Sequence, residues 1–139
     1  MYRLIYKSRS KSPIDWGLID SILKASEKNN PESDITGALL ATRTHFLQVI
    51  EGSFKTVNEL FYAIAKDPRH DSVQLVGFGC VETRIFPDWT MHGIGIFDLN
   101  QEIAERLKHA FGEEDGGVRL PTDEWQALAL INDIRHSQD

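Results

Sequence analysis

Gln48 and Tyr6 are the two polar side chains whose positions in the sequence most require a chemical explanation. Gln48 alternates with Phe46 and Ile50 in the segment HFLQVIE, and the residues between them are apolar as well. A strand that is apolar on both sides is typical of the buried centre of a sheet. A buried amide that leaves one hydrogen bond unmade costs about 1–3 kcal/mol, so Gln48 must meet polar partners inside the protein.

Tyr6 lies in the middle of an alternating segment, on the same side as Leu4 and Ser8. A buried tyrosine usually places its hydroxyl group on an acceptor. For each side chain alone, an ordinary protein partner is the default interpretation. If the two meet beneath two helices, near Asn30 at a helix end, they form a polar spot in an apolar core. Such a spot can accept a flat polar cofactor.

Apolar periodicity predicts the elements that would position this pair. In order these are a strand at 2–8, a helix from the N-cap Ser12 and Pro13 to about Asn29, strands at 35–42 and 45–51, a helix between Gly52-Ser53 and Asp67-Pro68, and strands at about 73–82 and 91–97. The order βαββαββ indicates an α+β protein with a ferredoxin-like sheet and one extra strand. Two helices would cover one face of this sheet.

The tail at 99–139 is predicted to form helices on or near the other face. Asn100 can cap the first of them and Thr122 the last. Trp125, Leu128, Ile131 and Ile134 are predicted to form the apolar side of the last helix. We therefore expect a core at 1–98 and a helical extension at 99–139, both within one compact unit.

Composition excludes several classes of protein. The 139 residues suit one domain, and a net charge of −6 argues against a general nucleic-acid binder. The sequence contains neither an apolar run of about 18 residues, as a membrane span requires, nor a secretory signal. The single cysteine, Cys80, favours a reducing, cytoplasmic location and is predicted to be a buried small hydrophobe.

No catalytic or metal-binding pattern emerges from the sequence. The histidines in the predicted strands and helices share no ligand spacing, so we predict no metal; they are His45, His92, His109 and His136. Neither a nucleophile elbow nor a P-loop is present, so we predict no enzyme activity.

Five segments of the chain resemble BLUF domains, which are flavin-binding blue-light sensors. They are RLIYKSRS at 3–10, SEKNNPESDITGALL at 26–40, HFLQVIEG at 45–52, KDPRH at 66–70 and RIFPDWTM at 84–91. They follow the family's order and spacing and cover roughly residues 1–98. The resemblance implies bound flavin, usually FAD, with FMN possible.

The resemblance also implies roles for individual residues. Tyr6 matches the photochemical tyrosine, and Gln48 matches the glutamine between that tyrosine and the flavin. Asn30 matches an asparagine on the polar edge of the ring, and Asn29 occupies the neighbouring contact. The positions where the family often has pocket serines are Ser8 and Ser26.

Met91 and Trp89 match the family's switching pair at the start of the last core strand. Since the two point the same way in a strand, simple core packing is an equal alternative. Arg69 and His70 match a segment near the ribityl-phosphate side, although they could also form a solvated loop.

The resemblance to BLUF domains predicts a blue-light photoreceptor that signals by rearranging hydrogen bonds around Gln48. The chain is similar to short, stand-alone members, so its output would pass to a separate protein or to self-assembly, and we expect a homo-oligomer. The alternatives are a flavin-binding or interaction module without photochemistry and a small flavin reductase.

Overall fold

A five-stranded sheet with helices on both faces forms the centre of the molecule in the computed structural model, which describes residues 1–29 and 34–137, without the side chains of 26–29. The elements are β1 (Tyr2–Ser10), α1 (Trp16–Asn29), β2 (Thr36–Ala41), β3 (His45–Gly52), α2 (Phe54–Ala65), β4 (His70–Cys80), β5 (His92–Gly95), α3 (Gln101–Phe111), β6 (Glu113–Glu114), β7 (Gly117–Val118) and α4 (Glu124–Ser137). A short 3-10 helix, Ile96–Asp98, follows β5.

The strand order is β4-β1-β3-β2-β5, and every neighbouring pair is antiparallel except β2 with β5. This confirms the predicted α+β, ferredoxin-like fold. It also makes β1 and β3 interior strands, so Tyr6 and Gln48 lie at the centre of the sheet. The alternation of side chains along each strand then decides which face each residue joins.

One face of the sheet packs against α1 and α2, as predicted. Ile19 of α1 joins a buried cluster with Leu39 and Phe46, and Val57 of α2 joins another with Leu4 and Tyr6. Ser53 accepts a hydrogen bond from the backbone N–H of Thr56 and caps α2 where the sequence indicated.

The other face packs against the tail, which confirms the prediction that the tail supplies its cover. The buried side chains of this cluster include Ile5, Leu40, Leu47, Leu107 and Ile131. The polar break that follows α3 forms the small hairpin of β6 and β7.

Lys7 ties that hairpin to the sheet from the position next to Tyr6 in β1. Its ammonium group donates to Glu114 Oε1 at 2.8 Å and to the Leu120 carbonyl at 2.7 Å. Burial would raise the pKa of Glu114, but the hydrogen bond and positive charge of Lys7 outweigh it and hold that pKa below its ordinary value. Neighbouring residues of β1 therefore serve opposite faces of the sheet, since Tyr6 packs in the cluster that includes α2 and Lys7 binds the tail.

Two predicted helix caps are wrong. Helix α1 begins at Trp16, because the Asp15 carboxylate accepts from the Leu18 N–H at 2.8 Å, while Ser12 lies in a preceding turn with Ser10. The N–H of buried Ile14 donates to the Arg43 carbonyl at 3.0 Å, which keeps Pro13 outside the helix. In α4, Asp123 rather than Thr122 accepts the capping hydrogen bond, from the Gln126 N–H at 3.1 Å.

The predictions for Trp125 and Cys80 are also wrong. Trp125 is 84% exposed, because the buried side of α4 consists of Ala127, Leu130, Ile131 and Ile134. Cys80 is exposed, since it ends β4, a strand at the edge of the sheet. Among the described residues, no helix is long and apolar enough to cross a membrane.

The packing of α4 predicts unequal effects of two substitutions. Ile131→Val should lower the free energy of unfolding by about 1 kcal/mol, because it removes a methylene group from a fully packed site. Trp125→Ala should change it by no more than about 0.5 kcal/mol, since that ring lies in solvent. Urea unfolding measures both, and a larger loss for Trp125→Ala would contradict the assigned face of the helix.

Candidate functional site

Tyr6 and Gln48 face each other as directly paired residues of β1 and β3. The Tyr6 hydroxyl group donates to Gln48 Oε1 at 2.5 Å, and the side chains are 4% and 2% exposed. Because this bond holds Oε1 toward Tyr6, the amide nitrogen points the other way, and Gln48 Nε2 donates to Met91 Sδ at 3.4 Å. A directed chain of hydrogen bonds thus runs from Tyr6 through Gln48 to Met91.

A cleft that opens to solvent lies beside this chain between α1, α2 and the sheet, with room of about 140 Å3 for solvent-sized molecules. The lining combines mostly apolar walls with a few polar groups: Tyr6, Ile22, Ala25, Leu39, Phe46, Gln48, Leu60, Ala63, Ile64, Asp67, Arg69 and His70. Four of these residues were predicted from the sequence as site residues: Tyr6, Gln48, Arg69 and His70. The periodic stripes of α1 and α2 could have supplied Ile22, Leu60 and Ile64.

Two hydrogen bonds fix the ring of His70, which lines the same cleft. Its Nε2 lies 2.7 Å from the Ile64 carbonyl oxygen, and its Nδ1 lies 2.7 Å from Ser8 Oγ. Because a carbonyl can only accept, Nε2 carries a proton and donates to the Ile64 oxygen, and the Ser8 hydroxyl group is the partner of Nδ1. Ser8 therefore acts by orienting His70, whose ring centroid is 6.2 Å from that of Tyr6.

Asp67 and Arg69 form an ion pair at the edge of the cleft. The Arg69 guanidinium group donates to Asp67 Oδ2 at 2.7 Å and to Oδ1 at 3.1 Å. This hydrogen-bonded pairing lowers the pKa of Asp67 and raises that of Arg69. Asp67 was not predicted to line the cleft, although it belongs to the KDPRH segment, which carries part of the resemblance.

Burial raises the pKa of Tyr6 well above its ordinary value, and the negative charge of Asp67 raises it further. Tyr6 is therefore a neutral phenol throughout the physiological pH range. If it loses an electron, its hydroxyl proton must leave as well, and Gln48 Oε1 is the acceptor in contact.

Met91 and Trp89 lie on opposite faces of the sheet, which corrects the expectation that they point the same way. Both precede β5, which begins at His92, so strand alternation does not relate them. Met91 packs under the helices α1 and α2, whereas Trp89 stacks on Phe86, with ring centroids 5.1 Å apart, and belongs to the cluster beneath the tail. Of the two, Met91 contacts Gln48.

The structure brings Tyr6, Gln48, Arg69 and His70 to one cleft and places Ser8 and Met91 directly behind it. Trp89 is not part of this group. Three predicted contacts cannot be placed: Asn30 lies outside the described residues, as do the side chains of Ser26 and Asn29.

The cleft fits a flat aromatic ring with one polar edge. Its walls are mainly apolar, while Gln48 presents an amide with two N–H donors at its base. One of these donors faces the sulfur of Met91, a weak acceptor, and within the described part of the chain no bond is found for the other. A ring with an acceptor on its edge would satisfy it.

Comparison with known proteins identifies such a ring. The sequence model of a family described as BLUF, sensors of blue-light using FAD, matches residues 1–92. The chain belongs to the BLUF family. It is thus a flavin-binding blue-light sensor, and FAD is the flavin that the family description names. The family description names light sensing, as the resemblance in sequence implied.

Solved BLUF structures share the fold. The dark-state structure of the BLUF protein BlrB is 31% identical, with a TM-score of 0.77, over 98% of this chain and 96% of BlrB. The photo-activated state of BlsA is 26% identical, with a TM-score of 0.74, over 93% of this chain and 89% of BlsA.

A curated relative is the blue light- and temperature-regulated antirepressor BluF of Escherichia coli (strain K12), 34% identical over 122 residues. The match covers 87% of this chain and 30% of BluF. Photoactivated adenylate cyclase subunit beta of Euglena gracilis is 28% identical over 78% of this chain and 13% of its own length. This BLUF chain therefore spans less than a third of either relative.

Proposed function

We propose that the chain senses blue light through a flavin held in the cleft, with Tyr6 as the electron donor and Gln48 as the amide that exchanges hydrogen-bond partners. The observation that carries this proposal is the directed chain from the Tyr6 hydroxyl group through Gln48 to Met91. In that chain every bond depends on which end of the amide faces which neighbour.

The flavin supplies absorption in the blue and, when excited, a strong oxidant. With flavin bound, Tyr6 would give an electron to the excited ring, and its hydroxyl proton would move along the 2.5 Å hydrogen bond to Gln48 Oε1. Both would return quickly to Tyr6, and the amide would rearrange in the meantime. While Tyr6 lacks its proton, it no longer donates to Oε1, and the amide loses the bond that fixes its orientation.

Rotation or tautomerisation of the Gln48 amide then replaces one end by the other. An amide suits this role because its ends have similar shapes and opposite hydrogen-bonding properties. After rotation, Oε1 would face Met91 Sδ, and two acceptors cannot share a hydrogen bond. The same change would give the polar edge of the ring a new hydrogen bond from the amide N–H group. This bond would lower the transition energy and shift absorption to longer wavelength.

For the remaining binding residues, we propose the roles that the resemblance in sequence implies. We assign the polar edge of the ring to Tyr6 and Gln48, together with Asn29, Asn30 and the neighbouring Ser26. Arg69 and His70 would hold the ribityl-phosphate side, with Ser8 orienting His70 through the bond at 2.7 Å. FMN remains possible in place of FAD.

For the output, we propose that residues 1–98 are the sensing core and that the helices at 99–139 carry the signal to a separate protein or to self-assembly. A hydrogen-bond exchange supplies about 1 kcal/mol, so it can only bias an element that is already near balance. A homo-oligomer in the cytoplasm, without nucleic-acid or membrane binding, is the setting we expect.

Absorption spectra test the proposed function. The FAD-loaded chain should show a reversible shift to longer wavelength after blue light, without NADH. A yellow protein whose spectrum ignores light would contradict the proposal and favour a module without photochemistry. Bleaching by NADH in darkness would favour a flavin reductase instead.

A further inference from the structure

Arg135, near the end of α4, contacts the segment between β4 and β5 that carries Trp89 and Met91. Its guanidinium group donates to the Ile85 carbonyl at 2.8 Å. The same group lies 5.3 Å from the ring centroid of Trp89 and 5.6 Å from that of Phe86. These two rings are stacked with an interplanar angle of 13°, so Arg135 covers a preformed aromatic pair.

Gln48 and the backbone of β2 hold the same segment at two other points. Met91 Sδ accepts from Gln48 Nε2 at 3.4 Å, and the Trp89 carbonyl accepts from the Gly37 N–H at 2.9 Å. The Trp89 indole contacts Arg135 of α4. Trp89 lies two residues before Met91, whose sulfur contacts the Gln48 amide. A single short segment thus joins the residue that contacts the Gln48 amide to the surface on which Arg135 rests.

We infer that Arg135 is the positioning residue that couples the segment 84–91 to helix α4, so that release of Met91 loosens the end of this helix. This inference rests on the proposed function. Arg135 never touches the cleft and acts through the Trp89–Phe86 pair and the Ile85 carbonyl. Light would thus change the docking of α4 without any contact between α4 and the flavin.

The partners of Arg135 make this contact sensitive to geometry. In the part of the chain that the structure describes, no carboxylate pairs with Arg135; its neighbours are a carbonyl oxygen and two ring faces. An attraction to ring faces depends on the position of the cation over the ring, so a small shift of the segment weakens it. A second arginine supplies a control, since Arg106 of α3 donates to Ser137 Oγ at 2.6 Å and binds the same helix end.

Hydrogen exchange measured by mass spectrometry on the full FAD-loaded chain, in darkness and under blue light, tests the inference. In the wild type, peptides covering 124–137 should exchange faster in light. In Arg135→Ala they should exchange roughly fivefold faster already in darkness, because a contact of ordinary strength is lost, and light should add little. The flavin shift should keep its wild-type size, which a general loss of folding would not allow.

Arg106→Ala should also speed exchange at the helix end in darkness, but it should keep the increase under light. Arg135→Lys should restore part of the light-induced increase that Arg135→Ala loses. An Arg135→Ala variant with the wild-type difference between light and darkness would overturn the inference. So would a wild type whose flavin shifts while α4 stays unchanged. A wild type without any flavin shift would instead overturn the proposed function.

Discussion

Gln48→Leu should bind flavin and lose the light-induced shift to longer wavelength. Leucine fills a similar volume in the buried position between Tyr6 and Met91, so the apolar walls of the cleft remain in place. It offers neither a donor nor an acceptor, so no exchange of hydrogen-bond partners can follow the oxidation of Tyr6. The measurement is the difference between absorption spectra before and after illumination.

A second glutamine in the chain gives a matched control for this substitution. Gln74 lies on the edge strand β4 with an exposed side chain, so Gln74→Leu makes the same chemical change away from the cleft. Its shift should equal that of the wild type. If Gln48→Leu retained flavin and shifted normally, the amide would not be the switching group.

The positions of Tyr6 and Gln48 could be predicted from sequence because they follow from alternation within strands. An alternating strand fixes the face of each residue once the buried side is known. The order of elements then places β1 and β3 in the interior of the sheet. The same reasoning placed the stripes of α1 and α2, whose spacing depends only on helix geometry.

The separation of Met91 from Trp89 could not be predicted in this way. Their segment is not a strand, and its path is set by contacts with distant residues. The Gly37 N–H binds the Trp89 carbonyl, and the Glu51 carboxylate binds the backbone N–H groups of Ile85 and Phe86. No local pattern reports such contacts.

The wrong helix caps have a similar physical reason. Ser12 and Asp15 both carry side chains that can cap a helix, so the local signal does not decide between them. The choice depends on Ile14, which is buried, and on its backbone bond to Arg43 across the molecule. Exposure of Cys80 likewise depends on β4 being an edge strand, which only the assembled sheet determines.

Glu51→Leu should lower the free energy of unfolding by about 3–5 kcal/mol, the usual loss when one partner of a buried ion pair is removed. The Glu51 side chain is fully buried in β3 and accepts from Arg3 Nε at 3.0 Å. It also accepts from the N–H groups of Ile85 and Phe86 at 2.9 Å. Leucine would leave these buried donors without their acceptor, and urea unfolding at a fixed FAD concentration measures the cost.

Two further variants separate the charge from the hydrogen bonds. Glu51→Gln keeps a carbonyl oxygen for the two N–H groups but turns its NH2 group, a donor, toward the donor Arg3, so we expect a smaller loss of about 1–2 kcal/mol. Glu59→Leu, on the exposed side of α2, should stay within about 0.5 kcal/mol of the wild type. If Glu51→Leu matched Glu59→Leu, the carboxylate would not anchor the segment that carries Met91, and the path from Gln48 to α4 would lack its fixed support.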